Sequence, residues 1–286
     1  MEGDRSLDGY YIDPNFPNPM GPNDARIIIY GYTPSFAVGI LGVVLFAIST
    51  AWHSYQLFFR HRPCWYFTPV IVGCAMEIVG YAFRILSNKI SPYNVIYFVV
   101  QYFFIVVAPV FFSAAIYTII SVLISVVGRE YAPMGPRLIL AIFITSDVVA
   151  TIVQVAGAAL IGVAESNRRD PTTANNILLA GLAFQVFAFL VFIILLALFL
   201  WRSRKVTMMT VKRSFIIALV VATLAIYLRT CFRLAETAEG VMGYLSTHEV
   251  FFGCLEFAPV VVAVFLFNIW HPGRCIPRRP VTALPR

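Results

Sequence analysis

Charge is scarce in this chain: 12% of its residues are Asp, Glu, Lys or Arg, whereas 60% are hydrophobic and the mean hydropathy is +0.82. That leaves too little polar surface to cover a water-soluble core, so an ordinary soluble domain is excluded. Lysine is scarcer still. Lys89, Lys205 and Lys212 all fall between apolar runs, so no amine is available inside a helix bundle to form a retinal Schiff base. The histidines, His53, His61, His248 and His271, lie at the ends of apolar runs and are too dispersed to form a zinc site with an open position. None of the five cysteines falls in a loop expected to face outward, so no disulfide framework is expected. A glycine-rich phosphate loop is absent, which argues against ATP-driven pumping. Met1 to Arg26 carries Glu2, Asp4, Asp8, Asp13 and Asp24 in place of a basic and an apolar region, so no signal peptide is expected. No catalytic constellation, metal site or cofactor is expected, and the chain is not expected to be an enzyme.

The sequence does hold long apolar runs. A helix needs about 20 apolar residues to cross a hydrocarbon core of about 30 Å, and seven segments qualify: 33–53, 65–86, 93–127, 138–162, 177–201, 214–233 and 249–270. The third has no polar turn at which to divide, so it counts once, starting at Ser91-Pro92 and kinked at Pro109. The expected fold class is all-α, a polytopic seven-transmembrane helix bundle.

Basic residues set its orientation. Arg60, Arg62, Arg129, Arg137, Arg202, Arg204, Lys205, Lys212, Arg213, Arg274, Arg278, Arg279 and Arg286 fall on one side. Only Arg5, Arg26, Lys89, Arg168 and Arg169 fall on the other. The N-terminus is therefore expected outside and the C-terminus in the cytoplasm. Residues 1–29 would form an extracellular polar tail, 30–273 the bundle and 274–286 a cytoplasmic basic tail. The net charge of +7 is a matter of topology here and does not imply a nucleic-acid partner.

Charged side chains inside a bilayer are costly and usually face the bundle interior. Here they are Glu77, Arg84, Asp147, Arg229, Arg233 and Glu256, joined by Gln101, Gln154 and Gln185. Glu77/Arg84, Asp147/Gln154, Arg229/Glu236 and Glu249/Glu256 each repeat at i, i+7, which keeps both members on one helix face. Counted from the span ends, this set lies between mid-membrane and the outer surface. The inner half of the spans reads as apolar. The expectation is a polar cavity open to the outside and closed below by an apolar plug. A purely structural role, holding the bundle together, is the competing reading for any one of these residues. Tyr30, Tyr32, Trp65, Tyr66, Trp201 and Trp270 are expected as interface anchors.

A common G-protein-coupled receptor would show Asp-Arg-Tyr after its third helix and Asn-Pro-x-x-Tyr in its seventh. The sequence instead reads Gly128-Arg129-Glu130-Tyr131 and Asn268-Ile269-Trp270-His271-Pro272. Other motifs do match a known family. "YGYTPS" (30–35), "EIVGYAFR" (77–84), "APVFFSAAIY" (108–117), "DVVATIVQVAG" (147–157), "GLAFQ" (181–185), "RTCFRLAETAEG" (229–240) and "HPG" (271–273) follow in order along the spans. Together they resemble the fungal lipid-translocating exporters, typified by the yeast aminocholesterol-resistance protein. Glu256 departs from the aspartate expected there.

The resemblance implies a plasma-membrane or internal-membrane protein that moves sphingoid bases, phospholipids or sterol- or porphyrin-like amphiphiles and confers resistance to toxic ones. It implies a lipid or amphipathic small molecule as ligand. The residues expected to bind it are Glu77, Arg84, Gln101, Asp147, Gln154, Gln185, Arg229, Arg233, Glu236 and Glu256. Glu77, Asp147 and Glu256 would receive an ammonium, and the arginines would balance those acids or hold a phosphate. A seven-helix sensor of lipid asymmetry, signalling to a cytoplasmic partner through loop 202–213, would carry the same signature.

Overall fold

A computed structural model describes residues 11–19, 21, 23–60, 64–166, 170–240 and 243–277. Residues 1–10 and 278–286 of the two expected tails lie outside the described residues, as do Arg62, Arg168 and Arg169. Among the described residues seven helices are long and apolar enough to cross a membrane: α1 (Phe36–Phe59), α2 (Trp65–Lys89), α3 (Val95–Val127), α4 (Pro136–Ala164), α5 (Thr172–Arg202), α6 (Arg213–Glu239) and α7 (Glu249–Cys275). In lipid every backbone N–H and C=O must find its partner within the segment, and helices meet that demand.

α3 passes Pro109 as one helix, as expected, but it starts later than Ser91-Pro92. Asn94 is the better cap, because its Oδ1 accepts both the Ile96 and the Tyr97 N–H at 3.0 and 3.2 Å. Ser91 instead donates to Asp24 at 3.1 Å. α6 runs past its expected end at residue 233, since Arg233 and Glu236 pair across one helical turn.

Neighbouring helices pack in chain order, and α7 closes the ring against α1. α3 is the most enclosed, with 67% of its apolar window buried inside the bundle, which fits a helix hydrophobic on all sides. Lipid tails give apolar helices no hydrophobic reason to associate, so close approach at small residues matters. Gly42 of α1 receives the ring of Tyr81, with no room for a Cβ. The outward faces carry large apolar side chains such as Leu41, Ile48, Phe187 and Ile194, as a lipid-facing surface requires.

The two ends of the bundle differ. At the N-face, where α1 begins, the described residues among 11–35 fold across the helix ends as a cover. The Ala25 N–H donates to the Tyr93 carbonyl at 2.8 Å and the Val95 N–H to the Asn23 carbonyl at 3.0 Å. Ile28, Tyr30 and Tyr93 form a small buried core there. Part of the expected polar tail is therefore packed structure. At the C-face, Trp65 and Trp201 are 64% and 74% exposed, as interface anchors would be. Tyr30, expected as another anchor, is instead buried within the cover.

Candidate functional site

The polar side chains beneath the cover form a chain of contacts leading into the bundle. Nearest the N-face, Arg84 Nη2 sits 2.5 Å from Glu249 Oε1 and donates to the Tyr32 hydroxyl at 2.9 Å. The Ser35 N–H also donates to Glu249 Oε1, at 2.8 Å. The Arg84 guanidinium lies 4.1 Å from the centre of the Phe252 ring, within cation–π range. One arginine thus ties the cover, α2 and α7 together. Beside it the Tyr30 hydroxyl donates to Gln101 Oε1 at 2.6 Å and lies 2.9 Å from Ser87 Oγ. Burial pushes the Tyr30 phenol up to about 12 and raises Tyr32 as well, so both are neutral phenols at physiological pH.

Deeper in, Arg229 donates through Nε and Nη2 to Glu256 Oε1 at 2.9 and 2.5 Å. Nη2 also donates to the Ile105 carbonyl at 2.9 Å. That carbonyl would normally bond the N–H four residues on, but position 109 is proline and has none. Arg229 supplies the missing donor. Glu256 lies in a widened π-helical turn, Phe252–Phe257. Pro259 explains it: its ring crowds the carbonyl four residues back, and the turn before it opens. Arg233 closes the set, donating to Glu236 at 2.6 Å with its guanidinium 4.7 Å from the Tyr102 ring centre.

Three buried arginines therefore use three glutamates: Glu249, Glu256 and Glu236. Glu77 is left over. It is 1% exposed, in mid-α2, and couples electrostatically to Arg229 and Glu256. Among the described residues none forms a hydrogen bond or ion pair with it.

Glu77, Arg84, Gln101, Arg229, Arg233, Glu236 and Glu256 thus lie in one sector across α2, α3, α6 and α7, as separate bonded groups with electrostatic coupling among Glu77, Arg229, Arg233, Glu236 and Glu256. Asp147, Gln154 and Gln185 do not join it. Asp147 accepts from the Tyr117 hydroxyl at 2.9 Å, inside a box of Phe143, Phe189 and Phe192. Gln154 donates to Gln185 at 2.8 Å between α4 and α5. One expectation needs correction: the polar residues do not line an open cavity but are buried. Of the i, i+7 sets, Arg84 and Arg229 take their glutamates from α7, and Arg233 pairs with Glu236 on its own helix. A groove of about 320 Å³ between α1 and α7 and an apolar one of about 430 Å³ between α3 and α4 hold none of the network residues.

The C-face is not the apolar plug expected. Ser49, His53, Gln56, Asn268 and His271 are buried there. The long helical run of α7 breaks after Ile269, before the short turn Pro272–Cys275, and the carbonyls of a helix's last turn lack intrahelical donors. Gln56 and Trp52 of α1 donate to the Asn268 carbonyl at 3.0 and 3.3 Å, while the Asn268 amide donates to Ser49 at 2.8 Å. The site residues that sequence reasoning missed are Glu249, Tyr30, Tyr32 and Phe252. The signals were available: Glu249 keeps the i, i+7 spacing and the tyrosines sit in "YGYTPS".

Comparison with known proteins agrees with the motif resemblance. The family described as RTA1 like protein matches residues 70–279. The chain is similar to the sphingoid long-chain base transporter RSB1 of Saccharomyces cerevisiae, at 30% identity over 281 aligned residues covering 85% of this chain and 73% of that protein. It is similar to protoporphyrin uptake protein 1 of the same yeast, at 27% identity over 289 residues, 87% of this chain and 94% of that one. Protein RTA1, also of that yeast, is 28% identical over 277 residues, 85% of this chain and 84% of that protein. No solved structure matches the chain. This seven-helix membrane protein belongs to the RTA1-like family.

Proposed function

We propose that the protein moves amphipathic lipids with a cationic head group, of the sphingoid-base type, across the plasma membrane, with the N-face outside and the C-face in the cytoplasm. The observation that carries this reading is the network itself. Three arginine–glutamate pairs and one additional acid, Glu77, are concentrated in one sector of the bundle, where ions are retained at high cost. A similar yeast protein is named a sphingoid long-chain base transporter, and an ammonium suits an acid that has no partner. The arginines hold the other acids in place and would also bind a phosphate-bearing head group. Asp147, Gln154 and Gln185 are assigned to the neighbouring α3–α4–α5 wall, where they hold helices together. Orientation rests on the thirteen basic residues named above for the C-face side.

The arrangement described is closed. Residues 11–35 bond to Arg84, Gln101 and Ser87, so a head group reaches the network only when Tyr30 and Tyr32 let go. Proteoliposomes of the pure protein, loaded with a fluorescent sphingoid base, test the reading. Protein-dependent movement between leaflets is expected. Binding without movement would make the protein a sensor instead, and neither binding nor movement would reject the assignment.

A further inference from the structure

We propose that Glu77 carries a proton in the ligand-free bundle and releases it when an ammonium head group enters, so that the protein exchanges cationic lipid for protons. This rests on the transport reading above and supplies its driving force. Among the described residues, each buried arginine already has its glutamate, and Asp147 has the Tyr117 hydroxyl. Among the described residues Glu77, 1% exposed, has neither ion pair nor hydrogen bond. An ionised carboxylate so placed would be a second negative charge beside Glu256 sharing one guanidinium, and Arg229 already turns Nε and Nη2 to Glu256 and the Ile105 carbonyl. A buried charge without a partner is neutralised or compensated. Two species can do this at Glu77, a proton or a ligand cation, and they compete for the same oxygens.

The titratable and charged groups linked to Glu77 leave that choice open. They are Cys74 and Tyr81 of α2 itself, Arg229 of α6 and Glu256 of α7; α1 and α3, which also pack on α2, contribute none. Arg229 is the one cation among them, and it is shared with Glu256. The exchange balances in atoms and charge. The carboxylic O–H bond breaks, the proton leaves to water on the open side, and the carboxylate forms an ion pair with the ammonium. The net charge of the site is the same before and after, so a carrier cycling between the two forms moves one proton against each monovalent lipid cation.

The probe is N,N,N-trimethylsphingosine, whose fixed charge cannot itself lose a proton, added to the purified full chain in weakly buffered detergent. About one proton released per molecule bound is expected, with affinity falling about tenfold per pH unit on the acid side. Glu77→Gln should release none, and Glu77→Asp should restore release. Binding without proton release in the unaltered protein would overturn the proposal, whatever the variants do. Full release from Glu77→Gln would overturn the assignment to this residue. A parallel measurement in proteoliposomes separates the two readings. Lipid movement that ignores an imposed pH gradient rejects exchange but keeps transport, whereas no movement with or without a gradient rejects transport itself.

Discussion

The α2–α6–α7 sector and the α4–α5 sector both place polar groups in the half of the bundle nearer the N-face, but they satisfy them differently. In the first, the groups are ions that pair between helices, fill a carbonyl left open by Pro109, and leave one acid over. In the second, Gln154 donates to Gln185, and Gly157 brings α4 onto the backbone of α5. Neutral groups that close on each other act as adhesive. Ions with a surplus of one sign form a site whose charge can change. Polarity alone therefore does not mark function in a membrane bundle; an unbalanced charge does.

The largest effect should come from splitting the central pair. Arg229→Met alone leaves Glu256 uncompensated and the Ile105 carbonyl without a donor, so a loss of about 3–5 kcal/mol in resistance to SDS unfolding is expected. Arg229→Met with Glu256→Met should recover most of it, because removing both charges avoids the desolvation cost, and adding Pro109→Ala should recover the rest by restoring the backbone N–H. Such a refolded variant should not move lipid. If it still does, the pair is scaffold and the contrast between the sectors collapses.

In the α4–α5 sector the equivalent test is steric. A Cβ on Gly157 would lie 2.7 Å from the Leu178 nitrogen, backbone that cannot step aside. Gly157→Ala should destabilise by about 1–3 kcal/mol in the same assay while the remaining folded fraction transports normally. A transport defect in the folded fraction would place this sector in the pathway.

The cover over the charged sector should respond to alkali. Tyr30 is buried and its phenol is held up to about 12, against about 10 in the unfolded chain. Between those values the unfolded state has lost a proton that the folded state keeps. Stability is therefore intact below pH about 10 and falls by about 1.4 kcal/mol per pH unit as pH climbs towards 12. Melting curves of Tyr30→Phe in detergent should show that slope reduced by one proton; an unchanged slope would mean the cover does not hold Tyr30 closed. The smallest effect is expected at the amide pair. A double-mutant cycle of Gln154→Leu and Gln185→Leu should give a coupling of about 0.6 kcal/mol, the usual size of an interhelical hydrogen bond in lipid. A coupling several times larger would make these amides a site rather than adhesive.

Much of this organisation can be read from one dimension. The seven spans, the uninterrupted third helix and the residues Glu77, Arg84, Arg229, Arg233 and Glu256 follow from run length against bilayer thickness and from the cost of a charge in hydrocarbon. Those are properties of each segment alone. Partner choice is not. Arg229 pairs with Glu256, 27 residues away, rather than Glu236 on its own helix, and Arg84 with Glu249, 165 residues away. Helix rotation and packing decide such contacts, and residue spacing within one segment carries no information about its neighbour's rotation. The same reason hid the buried cover, the separation of Asp147 from Glu77, and the C-face polar cluster, which exists because α7 ends where α1 can supply donors to its last carbonyls. The sequence by itself determined which groups had to be buried, since burial is a cost paid residue by residue. Only the tertiary structure decided which were left without a partner, because that is a count taken over all the helices at once.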